Sequence, residues 1–409
     1  MPEIDFALLG LLLFVSSLVA MITRRLNLPY SVGLVAAGIM LALLPFGLEM
    51  PLTPELVFSV FLPPLVFEAA IQIPWRPFRR ELPVLLLLVT VGVLLAAGIV
   101  AVGMHYLIGW SWIGAAFFGV LIAATDPVSV IALFKSVPVD HRLHLLVESE
   151  SLLNDGVAAV AFAVLVAIST GHAATPAAIG GDILLIIGGG LLAGAMVALP
   201  LLAIAGRTTD HLVEITLTTL AAWGSFLLAE HFHVSGVLAA LTAGLLVGNV
   251  GWMGSISDSG RGAVLAFWEY VAFLANSLVF LLIGGREAQM PLLTVLEAAA
   301  VAVVLSLVGR AAAVYPIAAL FRGRGLHVPT RFQHVLWWGG LRGALALALA
   351  LALPASVPER GDIITVAFAV VAFSIFVQGL TMEPLMRRLG LIRQDAPAAE
   401  EPEAETRPL

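Results

Sequence analysis

The sequence predicts an all-α polytopic membrane protein with about thirteen transmembrane helices. Three observations carry that prediction. Of the 409 residues, 60% are hydrophobic and only 11% are charged, against about a quarter charged in a water-soluble domain. The apolar residues fall into blocks of about 20, the length that crosses a bilayer's hydrocarbon core. The basic residues between the blocks collect on alternate loops.

The blocks lie at roughly 4–22, 28–46, 55–72, 82–108, 112–134, 143–169, 177–205, 211–230, 234–250, 262–285, 292–319, 332–353 and 361–386. The second and ninth are short and rich in glycine, which suits tilted or partly re-entrant segments. With the N-terminus outside, the inner loops and C-terminal tail hold sixteen of the twenty Lys and Arg residues, from Arg24 and Arg25 to Arg407. Arg286 and Arg360 lie outside, while Arg310 and Arg342 fall within spans. A missed or extra span scrambles this asymmetry from that point onward.

Several classes of protein are excluded. With no cysteine, there is no disulfide scaffold, thiolate metal site or thiol catalysis. A net charge of -7 without a basic run gives no nucleic-acid footprint. The first apolar stretch lacks the basic flank and cleavage site of a signal peptide and reads as a span. No loop is long enough for a soluble domain. The chain divides into one transmembrane unit, 1–390, and a short tail, 391–409. The tail's Pro, Ala and Glu content predicts disorder on the cytoplasmic side.

Charges within the spans are costly. Each costs about 2.5–3.5 kcal/mol at mid-bilayer even on a lenient insertion scale. Asp126, Glu150, Asp155, Arg310 and Arg342 fall deep, and Glu68 lies nearer the inner face. Charges kept at that cost mark an ion or proton path, or join helices by salt bridges. At 1.5 Å per residue, Glu150 and Arg310 both lie roughly 10 Å from the inner edge. Opposite in charge and in one layer, they are expected to form a structural ion pair.

Two spans carry breaks. In span five, Asp126 precedes Pro127; proline removes a donor and pushes the preceding residue out of helical geometry. Asp-Pro is also a helix start. One helix therefore ends near Thr125 and a half-helix begins at Pro127, a simple proline kink being the plainer alternative. In span twelve, Gly339-Gly340-Leu341-Arg342-Gly343 weakens the helix by about 1 kcal/mol per glycine, with glycine-mediated packing as the alternative. The two spans are seven apart and run in opposite directions. Interruptions at corresponding places in two halves point to a transporter site at the midplane. Where such breaks cross, two helix N-termini meet and two C-termini meet, so an acidic residue suits one pole and a basic residue the other. Asp126 and Arg342 supply them.

Span six adds ligands. Ser151 and Asp155 are four apart and share a helical face; hydroxyl and carboxylate are hard oxygen ligands for Na⁺ or Li⁺. Asn154 points elsewhere, towards the unwound backbone of span five. Glu148 lines an inner funnel or is merely a solvated helix end. In span three, Pro63-Pro64 is expected to kink the helix just before Glu68, which is a further oxygen ligand or a structural group. A bare carboxylate in a half-dry cavity is costly, so Asp155 holds a proton or a cation and hardly both. With Glu150 locked to Arg310, one exchangeable carboxylate implies one-for-one, electroneutral exchange.

These residues resemble the NhaP/NHE-type sodium/proton exchangers of the monovalent cation:proton antiporter superfamily. The matching segments are Leu62-Pro63-Pro64 to Glu68, Thr125-Asp126-Pro127-Val128, Glu150 to Asp155, Val234 to Ala239, Gly339 to Gly343 and Phe376 to Thr381. They run in family order across roughly residues 20–390. The resemblance implies an inverted-repeat antiporter fold with two crossed discontinuous helices. Its core includes the spans near 55–72, 112–134, 143–169, 292–319 and 332–353. It implies a homodimer in the cell's inner membrane, with the C-terminus cytoplasmic, that uses no cofactor. It makes Asp155 the ligand of the transported cation, helped by Ser151, Glu68 and the backbone of Thr125. Asp126, Asn154 and Arg342 support the site, and Glu150 with Arg310 forms the structural pair. Two features depart from animal exchangers: the long regulatory tail is missing, and Asn276 stands where they carry an acidic residue.

Alternatives follow from the same residues. K⁺ also takes oxygen ligands and is the alternative to Na⁺. An intramembrane hydrolase also uses buried carboxylates, but no Gly-x-Ser-x-Gly or His-Glu-x-x-His motif occurs. A channel uses repeated pore elements or charged rings, whereas these two breaks are unlike.

Overall fold

The computed structural model describes residues 6–26, 28–44, 52–126, 130–131, 133–134, 139–171, 175–323 and 325–392. Among them every regular element is a helix: α1 (Phe6–Leu26), α2 (Tyr30–Leu43), α3 (Pro54–Gln72), α4 (Trp75–Ile108), α5 (Trp112–Leu121), α6 (His141–Ser169), α7 (Pro176–Ala205), α8 (His211–His231), α9 (Gly236–Asn249), α10 (Asp258–Glu287), α11 (Leu296–Leu320), α12 (Thr330–Trp338), α13 (Ala344–Leu351) and α14 (Arg360–Arg388).

Local chemistry sets the starts of these helices. Thr53, Ser111, Asp140, Thr175, Asp210, Ser235 and Ser257 each accept a first-turn backbone N–H on a side-chain oxygen, satisfying donors that a helix start leaves free. Pro54 and Pro176 occupy first-turn positions where no N–H is needed. The kink expected at Pro63-Pro64 takes the form of a π-helical turn, Val57–Phe61, immediately before it. A wider turn of this kind accommodates carbonyls that proline leaves without donors. Further π-turns lie within α4, at Leu88–Gly92 and Met104–Ile108, and Ser374–Gly379 interrupts α14.

Ten helices among the described residues are long and apolar enough to cross a bilayer: α1, α3, α4, α6 to α11 and α14. Three further expected crossings coincide with shorter pieces. These are α2, α5 with the helical residues 130–131 and 133–134, and the α12/α13 pair.

The helices bury two principal interiors. The larger joins α3 to α6 with α11 to α14 around Phe117, Phe118, Leu121, Leu146 and Phe368. The smaller packs Phe67 and Trp268 against Ala198, Ala222 and Ala243 of α7, α8 and α9. The Trp268 indole N–H donates to Thr218 Oγ1 at 3.0 Å, so its one donor is satisfied. In lipid, helices gain little from burying apolar surface and associate by close contact. At the α2–α10 crossing, Cβ atoms added to Gly38 or Gly284 collide with the facing carbonyls of Leu281 and Val35. By contrast α7 turns Leu184, Leu185, Leu192 and Met196 outwards, the surface a lipid-facing helix presents.

Candidate functional site

The site is built where the two interrupted helices pass each other. α5 ends at Leu121, and its last turn closes through Ile122 N–H to Phe118 O at 3.0 Å and Ala123 N–H to Val120 O at 3.1 Å. The chain is then non-helical through Asp126. The expected second start, at Pro127, lies outside the described residues. α12 ends where Gly339 N–H bonds Val335 O at 2.7 Å, and α13 resumes at Ala344. The breaks hydrogen-bond to each other: Asp126 N–H donates to Leu341 O at 2.8 Å. Gly343 lies so close to Asp126 that a Cβ there collides with its carboxylate.

Charge follows the helix poles. Arg342 is buried and donates through Nη1 to the carbonyls of Ala123 and Ala124, at 3.0 and 3.1 Å. These carbonyls lie just beyond the C-terminal, negative pole of α5. Nη2 reaches Ser306 Oγ at 3.1 Å, and the Arg342 backbone N–H reaches Ser374 Oγ at 2.7 Å. Asp126 meanwhile sits against Gly343, the residue before the N-terminal, positive pole of α13.

α6 lies alongside and carries a hydrogen-bonded chain. Arg310 and Glu150 are both buried and form a two-point pair, Nη1 to Oε1 at 2.6 Å and Nη2 to Oε2 at 2.7 Å. Arg310 also donates to Leu336 O, from Nε at 3.2 Å and Nη2 at 2.9 Å. The glycine break deprives that carbonyl of its helical partner at position 340. Asn154 Nδ2 donates both to Glu150 Oε1 and to Thr125 Oγ1, the latter at 3.0 Å. Thr125 Oγ1 in turn lies 3.0 Å from Ser151 Oγ. Asn154 therefore meets the break through a side chain, Thr125, where the sequence suggested its backbone.

A cavity of about 930 Å³ opens onto this chain. Thr125, Asp126, Leu152, Asp155 and Glu68 line it, with Arg24, Glu148, Glu269, Glu383 and Arg387 further along the wall. Among the described residues six carboxylates and two guanidinium groups line it, a balance that concentrates cations. Asp155 is half-buried, and its Oδ1 is enclosed yet accepts no hydrogen bond. Glu68 accepts from Gln72 Nε2 one turn on. Ser151 is not among the lining residues; it is 2% exposed and bonded to Thr125. Among the described residues no group of three His, Asp or Glu side chains gathers as a metal centre does.

Three contributors escaped the sequence reading: Ser306, Ser374 and the Leu336 carbonyl. Ser306 precedes Arg310 by one turn on the same face, a spacing that signals it. Ser374 comes from a distant helix and leaves no such trace.

Crossed, interrupted helices with opposite charges at their poles define a multi-pass secondary transporter. The sodium/hydrogen exchanger transmembrane family matches residues 10–388. The antiporter NhaS2 of Synechocystis is 38% identical over 93% of this chain and 70% of its own length. The antiporter NhaH of Halobacillus dabanensis is 32% identical over 93% and 97%. The solved structure of MjNhaP1, a sodium proton antiporter from Methanocaldococcus jannaschii, superposes with a TM-score of 0.77 over 93% of this chain and 97% of that one, at 20% identity. The chain belongs to the sodium/hydrogen exchanger family. That is a family of transporters, and the hydrolase alternative falls with it.

Proposed function

We propose that this protein exchanges Na⁺, or Li⁺, for H⁺ by alternating access, one for one and without net charge movement. The observation that carries the proposal is Asp155, which lines a cation-attracting cavity and keeps one enclosed carboxylate oxygen without a hydrogen-bond donor. An oxygen left bare in that position is costly; a proton or a cation removes the cost, and the two compete for it. The relatives named above, which are Na⁺/H⁺ antiporters, support Na⁺ as the cation.

In this reading Asp155 takes the ion, with Thr125 and Glu68 as neighbouring oxygen donors on the cavity wall. Ser151 and Asn154 hold the Thr125 hydroxyl in place. Asp126 and Arg342 neutralise the helix poles at the crossing, while Glu150 and Arg310 form a structural pair outside the route. Residues 1–390 make one transmembrane unit of thirteen crossings, with the N-terminus outside, and two copies form a dimer in the cell's inner membrane. In that orientation the cavity mouth, with Arg24 and Arg387, opens inwards. The disorder expected for the tail concerns 393–409, outside the described residues.

Proteoliposomes carrying a pH gradient test the proposal. Adding Na⁺ or Li⁺ is expected to dissipate the gradient; a response to K⁺ alone replaces the cation in this reading, and no response to any of the three removes it. Transport currents that reverse with imposed voltage contradict the one-for-one stoichiometry.

A further inference from the structure

We propose that Glu359 and Arg360 are positioning residues that clamp the outer ends of both interrupted helices and so fix the ion site from across the membrane. The inference rests on the antiport reading of the crossing. Arg360 is one of only two basic residues that the sequence places outside, against the general asymmetry. Its guanidinium closes the end of α13: Nε donates to Leu353 O at 2.8 Å and Nη2 to Leu351 O at 3.1 Å. Its neighbour Glu359 closes the start of α5. Ser111 Oγ donates to Glu359 Oε2 at 2.8 Å while accepting the Gly114 N–H at 3.2 Å. The loop presses onto that first turn, where a Cβ on Gly114 lies 2.8 Å from Glu359 Oε2 and 3.2 Å from Pro358 O.

Two adjacent residues of opposite charge thus sit on the matching poles, the carboxylate at the positive start of α5 and the guanidinium at the negative end of α13. The backbone marks the same place. Glu359 has φ 55° and ψ 19°, left-handed values that a side chain adopts only where its surroundings over-determine it. Its carbonyl starts α14 through Ile363 N–H at 2.9 Å. α14 then carries Ser374, which holds the Arg342 N–H just before α13. One helix therefore grips α13 on either side, by Arg360 beyond its outer end and by Ser374 before its inner end.

The grip has a physical reason. α13 has 8 residues and α5 has 10, too few to persist without tertiary support. Their inner ends place Arg342, Thr125 and Asp126. Neither clamp residue lines the cavity, so any effect on cation affinity passes through the placement of the half-helices.

Na⁺-dependent dissipation of a pH gradient in proteoliposomes, measured against Na⁺ concentration, tests the clamp. Arg360→Ala and Glu359→Gly are each expected to raise the half-saturating Na⁺ concentration roughly five-fold, with the maximal rate kept within about two-fold. Arg360→Lys and Glu359→Gln, which keep part of the bonding, fall between these and the parent. The glycine variant discriminates: it relieves the left-handed backbone, so a purely conformational role predicts no loss. Arg286→Ala serves as the control, with an unchanged half-saturating concentration: Arg286 is the other outer arginine, and its side chain reaches Gln289 Oε1 at 3.4 Å, three residues along the same chain. Half-saturation within about two-fold of the parent in the Arg360 and Glu359 variants overturns the clamp, whether or not their melting temperatures fall. If Arg360→Ala does not fold, Arg360→Lys and Glu359→Gln carry the test. Asp155→Ala in the same assay separates the two ideas, because exchange surviving in that variant removes the assignment of the ion to Asp155 while leaving the clamp's outcome to be read independently.

Discussion

Glu150 and Asp155 sit five residues apart on α6, two carboxylates on one helix and within about 8 Å of each other in depth. Five residues turn the helix by about 140° beyond a full revolution, so they face different surroundings. Glu150 is 2% exposed, with both oxygens bound by Arg310 and one also by Asn154. Asp155 borders the cavity, with one oxygen enclosed and unbonded. A carboxylate whose acceptor sites are filled by fixed donors has little capacity left for a transient guest. One that lines a cavity and has an acceptor site left empty retains that capacity. The contrast lies in partners and not in residue type, so it predicts opposite consequences for removing each side chain.

The largest effect belongs to Asp155. Asp155→Ala is expected to abolish Na⁺-driven dissipation of a pH gradient and to leave the fold intact, because the carboxylate gives up a hydrogen bond from the Thr125 backbone N–H while its Oδ1 has none to lose. Exchange at the parent's rate in a folded Asp155→Ala protein sinks the site assignment.

Glu150 is the converse. Arg310→Ala strands its charge in a dry interior, and such a loss costs about 3–5 kcal/mol; thermal unfolding in detergent reads it as a large drop in melting temperature. Replacing both partners together, Glu150→Leu with Arg310→Met, removes the stranded charge and is expected to regain most of that stability. The doubly substituted protein is also expected to transport. A stable double variant with no exchange moves Glu150 into the ion path and collapses the distinction between the two carboxylates.

Much of this contrast was legible beforehand, and the reasons are specific. Charge is so expensive in a bilayer that Glu150, Asp155, Arg310 and Arg342 stand out from a background that is 60% hydrophobic. Pro127 and the glycines at 339, 340 and 343 announce breaks because their backbone chemistry leaves few alternatives. Helical repeat and depth were enough to bring Glu150 opposite Arg310. What stayed hidden depends on side-chain direction and on distant segments. Nothing local in Ser374 indicates that it meets Arg342 N–H across a helix pair. Nothing in the Glu359-Arg360 dipeptide indicates that its two side chains part towards two different helices. Spacing placed Ser151 on the face of Asp155, yet packing turned its hydroxyl onto Thr125.

Ser151 supplies the smallest and sharpest test of that last point. If it bound the cation directly, removing its hydroxyl would strip an oxygen from the ion's own shell and weaken binding by tenfold or more, since a site built around a polar partner suffers heavily when that partner is lost. Placed behind Thr125, it acts at one remove. Ser151→Ala takes away one neutral hydrogen bond, worth about 1 kcal/mol, and leaves Thr125 Oγ1 still held by Asn154 Nδ2 at 3.0 Å. The expected result is a rise in half-saturating Na⁺ of no more than about five-fold, with an unchanged maximal rate. Pairing it with Asn154→Ala frees the Thr125 hydroxyl from both bonds, and the combined loss is expected to exceed the sum of the single losses, because each remaining bond holds Thr125 when the other is gone. Strict additivity would show the two side chains acting independently, and a loss of tenfold or more from Ser151→Ala alone would return Ser151 to the ion's own shell.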